Sequence, residues 1–310
     1  MKVVVLGANG FIGSNIIKYL LDNDIQVLAI VRSQNKSIFK NNELVSIITY
    51  KEYFDYDISS FDAVINCAGV AHIFSKRKIY YDVFHTNTSL SVKLFNHAVK
   101  NSVEKFINIS SASVYGELFS EEPVKETVDK NPNTIYGCSK LLTENIISEL
   151  QSEFSVTKVI NLRPPIVYGK DAPGNFERLR QFTMIGIPLP IKNIKGKRSV
   201  LNIINLCDFI IVCLQYDLSE SITLNISDPK PINLNEFINI IDYYSGQKTK
   251  SFSINKYILK ALFFAIGKKE TFNKLQHGMV LDISSIKKTF NWQPKDFYEI
   301  SNNISIHPES

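Results

Sequence analysis

Residues that would point to a metal site or a disulfide framework are scarce in this chain. Four cysteines occur among the 310 residues, at Cys67, Cys138, Cys207 and Cys213, and none forms a Cys-x-x-Cys pair. Disulfide-rich and zinc-binding domains rely on paired or closely spaced cysteines. We therefore expect no disulfide and no bound metal.

A concentration of positive charge, the usual signature of a nucleic-acid-binding protein, is also missing. The 35 Lys and Arg and the 30 Asp and Glu are scattered along the sequence and leave a formal net charge of +5. Because binding to a phosphate backbone requires basic side chains in a patch or stripe, we expect no nucleic-acid partner. The small positive excess is compatible with an anionic small molecule.

Long apolar runs are absent as well. The stretch Val3–Leu6 is far shorter than the apolar core of a signal peptide, and it predicts a strand in a cytoplasmic protein. The segment Tyr257–Ile266 falls short of the ~20 residues that a membrane-spanning helix needs. It predicts a buried helix and no membrane partner. Because Lys256, Lys268 and Lys269 flank it, contact with an anionic membrane surface is the alternative.

Short runs of β-branched residues alternate with helix-like stretches over the first half of the chain. This alternation predicts βαβ units, and because the runs are apolar at nearly every position, helices are expected on both faces of a parallel sheet. The predicted strands are Val3–Leu6, Gln26–Val31, Val45–Tyr50, Ala63–Cys67, Lys105–Ser110 and Lys158–Leu162. The fold class is therefore α/β, with a Rossmann-type doubly wound sheet.

A change in composition after Pro164-Pro165 predicts a second lobe. Glycine and proline interrupt the segments that follow, including Ala172-Pro173-Gly174 and Ile187-Pro188-Leu189-Pro190. We expect residues 1–165 to form a nucleotide-binding domain, to which the chain returns near 205–227. Residues 166–204 and 228–310 are expected to form a smaller α/β substrate-binding lobe.

A glycine loop follows the first predicted strand. Gly7, Gly10 and Gly13 permit a tight turn and a close approach of a pyrophosphate to the next helix, which begins near Phe11 and Ile12. A loop of this kind at the first strand-to-helix turn predicts a dinucleotide cofactor.

Arg32 bears on which dinucleotide is bound. The acidic residue that usually binds the ribose hydroxyls is expected at the end of the second strand, but the chain reads Val31-Arg32-Ser33 there. An arginine suits a 2′-phosphate, which favours NADP over NAD. The alternative is a solvated arginine stacked on the adenine, with NAD as the cofactor.

Tyr136 and Lys140 form the candidate acid–base pair. A spacing of four places them on one face of a helix, where a single ammonium can serve both the phenol and a ribose. A free tyrosine titrates near ~10, and a neighbouring positive charge favours the phenolate. We therefore expect a lowered pKa for Tyr136, which exchanges a proton with a sugar hydroxyl or ketone while a hydride moves to or from the nicotinamide.

These motifs, taken with several others, resemble one enzyme family. The segment Ser110 to Gly116, which reads Ser-Ser-Ala-Ser-Val-Tyr-Gly, is similar to that of the extended short-chain dehydrogenase/reductases that act on nucleotide sugars, the family of UDP-galactose 4-epimerase. Further matching pieces, spread over nearly the whole chain, are Asn66-Cys67-Ala68-Gly69, Asn87-Thr88, Leu162 to Gly169, Arg198-Ser199 and Trp292-Gln293-Pro294. Two of these pieces, Arg163 to Gly169 and Lys197 to Ser199, look like the bacterial subgroup that makes N-acetylated UDP-hexoses and 6-deoxyhexoses for surface polysaccharides.

The resemblance implies roles at the reaction centre. Ser111 matches the hydroxyl that hydrogen-bonds the reacting sugar oxygen, and Ser113 is the weaker candidate for contact with the sugar. A serine that merely ends a strand is the alternative for Ser111. Ala68 and Pro164 lie in matching pieces and are expected to contact the cofactor.

The resemblance also implies substrate contacts. Asn175 and Arg198 match positions that hold the uridine diphosphate, where a guanidinium suits phosphate oxygens. A solvated loop arginine is the alternative for Arg198. His72 matches a histidine that stands beyond the fourth strand, where it either touches the substrate or has a structural role.

Departures from the family pattern narrow the choice among the family's reactions. Sugar 4,6-dehydratases carry Asp-Glu where this chain has Ala112-Ser113, so dehydration is disfavoured. Ile166 stands where many 4-epimerases have asparagine, and Arg32 replaces the acidic NAD clamp. Both differences weaken the resemblance to UDP-galactose 4-epimerase.

The sequence thus predicts hydride transfer at C4 of a UDP-sugar. We expect a 4-ketoreductase acting on a UDP-N-acetyl-4-keto-6-deoxyhexose in the synthesis of surface polysaccharide. The alternatives are a UDP-glucose or UDP-N-acetylglucosamine 4-epimerase and, from another class, a non-catalytic NAD(P)-sensing regulator. The resemblance further implies a homodimer through the helices around Asn87–Lys100 and Tyr136–Leu150.

Overall fold

A seven-stranded parallel sheet forms the centre of the computed structural model, which describes residues 1–34, 39, 41–70, 79–116, 122–153, 156–265, 267 and 269–306. The strands are β1 (Lys2–Leu6), β2 (Gln26–Val31), β3 (Val45–Thr49), β4 (Ala63–Asn66), β5 (Lys105–Ile109), β6 (Lys158–Arg163), β7 (Ile166–Tyr168), β8 (Val200–Asn202) and β9 (Ile222–Asn225). Their order in the large sheet is β3-β2-β1-β4-β5-β6-β9, while β7 and β8 pair in a small sheet of their own. This order confirms the predicted doubly wound α/β fold.

Helices connect these strands. They are α1 (Phe11–Asp22), α2 (Tyr50–Tyr53), α3 (Ile79–Phe84), α4 (Leu90–Lys100), α5 (Ile135–Glu153), α6 (Asn175–Met184), α7 (Ile203–Gln215), α8 (Leu234–Ser245), α9 (Lys256–Ala265), α10 (Lys269–Gln276), α11 (Ser284–Phe290) and α12 (Phe297–Ile306). A π-helical turn, His85–Ser89, joins α3 to α4, and a 3₁₀ helix, Ala112–Tyr115, follows β5.

The residues of β1 show why continuous apolar runs produce this arrangement. Val3 and Val5 belong to the apolar cluster that includes α1 and α7, whereas Val4 and Leu6 belong to the cluster that includes α4. All four side chains are fully buried. Because helices cover both faces of the sheet, every position of a central strand is buried, and each such side chain contributes about 1.5–3 kcal/mol.

A third apolar cluster builds the second lobe. It contains Tyr168 at the end of β7, Phe176 on α6, Phe237 on α8 and Leu259 on α9. The Tyr168 hydroxyl donates a hydrogen bond to Oδ2 of Asp228 at 2.7 Å, so this buried polar group has a partner. Between these segments the chain returns to the main sheet, where β9 pairs with β6. The domain boundaries given above stay a prediction.

Helix α9 differs from the expectation of a buried helix. The helix is present, but Leu259 is its only buried residue in the described part of the segment. Tyr257 is 75% exposed and Ile258 is 54% exposed. Apolar composition alone predicted burial here, whereas the second lobe covers only one side of this helix. Among the described helices, none is long and apolar enough to cross a membrane.

Phe106 offers a test of the packed sheet. It is fully buried on β5 and packs edge-to-face on Phe95 of α4, with 5.3 Å between the ring centroids. We expect Phe106→Ala to lower the free energy of unfolding by about 3–5 kcal/mol, because the side chain leaves a cavity between sheet and helix. Urea denaturation measures this loss. Tyr298→Ala, at a side chain 74% exposed, is the control and should change stability by less than about 0.5 kcal/mol.

Candidate active site

A cleft of about 840 Å³ opens at the carboxyl ends of β1, β4, β5 and β6. The strand order reverses between β1 and β4, and ligands of open α/β sheets bind at such a crevice. The predicted site residues that line the cleft are Gly10, Phe11, Ile12, Arg32, Ser111, Ser113, Tyr136, Lys140, Pro164, Asn175 and Arg198. The fold therefore brings most of the predicted cofactor and substrate residues to one place.

The glycine loop is built so that side chains are excluded from it. Gly7 has φ +78°, and a Cβ there would lie 3.0 Å from the carbonyl carbon of Cys67. A Cβ on Gly13 would lie 2.3 Å from the carbonyl oxygen of Gly7. Gly10 is the N-cap residue of α1 and has no side chain that could bond the N–H groups of the first turn. That turn also contains no acidic residue. The loop therefore fits a dinucleotide, whose pyrophosphate binds at a helix N-terminus approached closely by backbone.

Arg32 follows β2 and lines the cleft with an exposed side chain. Burial raises the pKa of the Tyr50 hydroxyl, while the charge of Arg32 and its hydrogen bond to that hydroxyl oppose the increase. The guanidinium is thus held at the carboxyl end of β2, where the acidic residue that binds ribose hydroxyls usually stands.

Tyr136 and Ser111 meet at the base of the cleft. The Tyr136 hydroxyl is hydrogen-bonded to the Ser111 side chain. The Ser111 hydroxyl also accepts from the backbone N–H of Ser113 and donates to its hydroxyl, both at 3.1 Å. Burial raises the pKa of Tyr136 to about 12, and the bond to Ser111 acts in the opposite direction.

The raised pKa of Tyr136 contradicts the expectation that Lys140 favours its phenolate. The Lys140 Nζ lies 5.9 Å from the centroid of the Tyr136 ring. It donates instead to the carbonyl oxygens of Ile109 at 2.8 Å and Ala68 at 3.3 Å. The prediction that Tyr136 and Lys140 share one face of a helix was correct. The sequence did not reveal that two backbone carbonyls bind the ammonium of Lys140.

Burial also changes the titration of Lys140. Its side chain is buried, and loss of solvation lowers its pKa to about 8, while Cys67 and Glu144 act to raise it. Gly69 leaves room for the ammonium, because a Cβ there would lie 3.4 Å from Nζ. The predicted cofactor residue Ala68 does not line the cleft in the described part of the chain and contributes through its carbonyl oxygen.

Beneath the cleft lies a buried ion pair that the sequence analysis missed. Arg163 donates to both carboxylate oxygens of Glu144, at 2.6 and 3.0 Å, and the Ser110 hydroxyl donates to the same carboxylate. Both charged side chains are almost completely buried. Glu144 stands four residues after Lys140, so its side chain lies on the same face of α5. The spacing of four between Lys140 and Glu144 is the feature of the sequence that could have identified Glu144 as part of the site.

The outer part of the cleft contains the predicted substrate residues. Asn175 begins α6, and the backbone of Arg198 pairs with that of Ile232. The backbone N–H of Ala112 donates to the carbonyl of Pro164 at 2.8 Å, which fixes the two loops to each other. His72 lies outside the described residues. Additional lining residues that the sequence analysis did not single out are Asn133, Thr134, His277, Gly278 and Met279.

Known proteins are similar to this chain over most of its length. The sequence profile of the NAD dependent epimerase/dehydratase family matches residues 3–213. A Vibrio cholerae protein named UDP-glucose 4-epimerase is 29% identical over 304 residues, which cover 94% of this chain and 90% of that protein.

Solved structures share the fold. UDP-N-acetylglucosamine 4-epimerase from Bacillus cereus has a TM-score of 0.76 and 21% identity, with 99% of this chain and 98% of that chain covered. UDP-glucuronic acid 4-epimerase from Bacillus cereus, solved in complex with NAD, has a TM-score of 0.74 and 22% identity, with 96% and 94% covered.

Gly13 gives a test of the glycine loop. We expect Gly13→Ala to weaken NAD binding about tenfold or more, because the new methyl group must displace the Gly7 carbonyl at a cost of about 1–3 kcal/mol. Gly10→Ala is the matched comparison, since its Cβ would lie 3.1 Å from the same oxygen rather than 2.3 Å. Calorimetric titration measures both affinities. Equal affinities for the two variants would contradict the steric explanation.

Lys140 gives a test of the site's electrostatics. Its ammonium should lose its proton near pH 8 rather than near the ordinary 10.5, because burial disfavours the charged form. Carbon-13 NMR of labelled lysine Cε atoms, assigned with Lys140→Arg, measures the midpoint in protein without added cofactor. A midpoint above about 10 would show that the side chain is solvated.

Proposed function

Because this chain belongs to the NAD dependent epimerase/dehydratase family, and is therefore an NAD-dependent enzyme, we propose that it transfers a hydride at C4 of a UDP-sugar. The observation that carries the proposal is the presence of Ser111, Tyr136 and Lys140 in one cleft with the glycine loop. Such a combination supplies a proton-transfer group beside a dinucleotide site. A regulator that only binds NAD(P) has no need of it.

We propose 4-epimerisation of a UDP-sugar with NAD as the leading reaction. The relative from Vibrio cholerae is named UDP-glucose 4-epimerase, and two of the structures with this fold are named as 4-epimerases of other UDP-sugars. One of them is in complex with NAD. This reaction was the alternative in the sequence analysis, and the similarities move it ahead of the 4-ketoreductase.

Tyr136, Ser111 and Lys140 each have a separate role in the proposed reaction. NAD, when bound, supplies the hydride acceptor and donor. In the first half of the epimerisation the Tyr136 oxygen accepts the proton of the C4 hydroxyl, and in the second half it donates that proton to the ketone oxygen at C4. Burial raises the pKa of Tyr136 to about 12, so the first transfer requires a positive charge brought beside the phenol. Ser111 hydrogen-bonds the same oxygen and polarises it. Lys140 holds the nicotinamide ribose with its ammonium.

The substrate contacts of this proposal lie farther out in the cleft. Arg198 and Asn175 bind the diphosphate of the UDP-sugar, because a guanidinium and an amide supply the donors that phosphate oxygens need. Ser113 is the candidate for contact with the sugar. His72 remains a proposed substrate contact from the resemblance alone. A cytoplasmic location and a homodimer also belong to this proposal.

The 4-ketoreductase stays the second candidate because of Arg32. Its guanidinium lines the cleft at the end of β2, the position where an arginine receives a 2′-phosphate. NADPH would then be consumed in reducing a UDP-N-acetyl-4-keto-6-deoxyhexose for polysaccharide synthesis. An epimerase retains its cofactor between turnovers, whereas a reductase must exchange it.

Mass spectrometry of products separates the two reactions. The purified protein is incubated with UDP-N-acetylglucosamine or UDP-glucose alone, and separately with the 4-keto sugar and NADPH or NADH. Retained NAD and a mass-neutral conversion of either simple UDP-sugar would establish the epimerase. Oxidation of NADPH with a product heavier by two hydrogens would establish the reductase instead. No conversion in either assay, with NAD bound, would favour the regulator.

Tyr136→Phe tests the acid–base role. We expect turnover to fall by about 10²–10⁴-fold while NAD affinity is retained, because only the hydroxyl that moves the proton is removed. Tyr53→Phe is the matched control, since that hydroxyl is also buried and does not line the cleft in the described part of the chain. Steady-state kinetics and calorimetry measure the two effects. Full activity in Tyr136→Phe would remove this residue from the mechanism.

A further inference from the structure

Two segments of the second lobe contain no acidic residue. Residues 178–207 and 243–269 hold twelve Lys and Arg and none of the chain's 30 Asp and Glu. Eight of the basic side chains are exposed in the described part of the chain, among them Lys192, Lys195, Lys250, Lys256 and Lys260. Apart from the pairs Lys197-Arg198 and Lys268-Lys269, the basic residues are separated in sequence, so they form no charged block. Of the acidic residues that border the segments, Glu177 forms an ion pair with Arg180 at 2.6 Å. The absence of acidic residues within the segments is the distinguishing feature.

The same two segments expose large apolar side chains. Ten of the eighteen exposed large apolar residues in the described chain lie here: four between Phe182 and Ile187, five between Phe252 and Phe264, and Tyr243. Ile185 is 62% exposed and Tyr257 is 75% exposed. Scattered single apolar residues on a surface need no explanation, but a concentration of them marks an interaction site.

Backbone hydrogen bonds bring the two segments together. The N–H of Leu189 donates to the carbonyl of Lys250 at 2.8 Å, and the N–H of Phe252 donates to the carbonyl of Leu189 at 2.9 Å. The amide of Asn193 donates to the carbonyl of Ile254 at 2.7 Å, immediately before α9. These bonds place residues 189–193 beside residues 250–254. We call the exposed side chains of residues 178–197 and 248–264, which extend from that junction, the basic apolar face.

Helix α9 has the distribution of side chains that suits a flat apolar boundary. Leu259 is buried and Phe263 is partly buried, so they attach the helix to the second lobe. Ile258 and Leu262, one turn apart, are 54% and 51% exposed. Lys256 and Lys260 are also one turn apart and exposed, and their offset of two residues places them on the other flank of the helix from Ile258 and Leu262. A helix with apolar side chains outward and lysines along its flank lies in the plane of a membrane interface.

We propose that the basic apolar face docks this protein onto a membrane surface that contains anionic lipid, with α9 in the plane of the interface. The apolar side chains enter the boundary between head groups and acyl chains, and the lysines lie among the lipid phosphates. A second copy of the chain is a poorer occupant, because it would bring two positively charged faces together. The face adjoins the cleft, since α6 starts at Asn175 and α10 leads to His277, both of which line it.

Co-sedimentation of the full chain with vesicles tests this proposal. We expect binding to phosphatidylglycerol–phosphatidylcholine vesicles to exceed binding to pure phosphatidylcholine by about tenfold or more. High salt should reduce it, because salt screens the attraction between lysines and head groups. The pair Ile258→Ser and Leu262→Ser, and separately the pair Lys256→Glu and Lys260→Glu, should each lower the bound fraction by about tenfold.

Lys51→Glu with Lys100→Glu provides the matched control. Both lysines are exposed on the first domain, and the pair changes the net charge by the same amount as the α9 lysine pair. This control should bind vesicles like the wild type, and circular dichroism should show all variants folded. Absence of binding to anionic vesicles, or an equal loss in the control, would overturn the proposal. So would self-association of the wild type without lipid that the Ile258 and Leu262 substitutions abolish.

Discussion

The buried ion pair between Arg163 and Glu144 sets the arrangement of the site. Arg163 ends β6 and Glu144 lies on α5, and Ser110 at the end of β5 donates to the same carboxylate. Removing one partner of such a pair costs about 3–5 kcal/mol, because the other charge stays buried without compensation. Since α5 carries Tyr136 and Ser110 precedes Ser111, this interaction fixes the helix against the strand end and so holds the two hydroxyls within hydrogen-bonding reach.

The same network reaches the edge of the sheet. Arg163 also donates to the Tyr115 hydroxyl at 2.8 Å, which in turn donates to Asn225 on β9 at 2.7 Å. The N–H of Asn225 donates to a carboxylate oxygen of Glu126 at 2.9 Å. The last strand of the sheet returns from the second lobe, so these bonds connect that lobe to the strand ends at the cleft. Every member is satisfied, which is the condition under which a buried polar network stabilises a structure.

The local part of this structure could be predicted from the sequence, and the long-range part could not. Apolar runs fix the strands because both faces of the sheet are covered, and the glycine loop and the Tyr136 spacing are local patterns. The partnership of Arg163 with Glu144 depends on how a helix docks on a strand, and His277 reaches the cleft from far along the chain. For α9, a composition rich in apolar residues suits either burial or a boundary, and only tertiary packing distinguishes them.

Tyr136 and Lys140 show how burial shifts the pKa values of an acid and a base in opposite directions. Burial raises the pKa of the phenol to about 12 and lowers that of the ammonium to about 8, so both groups carry their protons at neutral pH. A protonated phenol is ready to donate to a ketone oxygen but not to accept a proton from a hydroxyl. The hydrogen bond between Ser111 and Tyr136 does not reverse the effect of burial. Accepting the proton of a hydroxyl therefore requires a lower pKa at this phenol, which a positive charge or a further donor brought by a molecule in the cleft would supply.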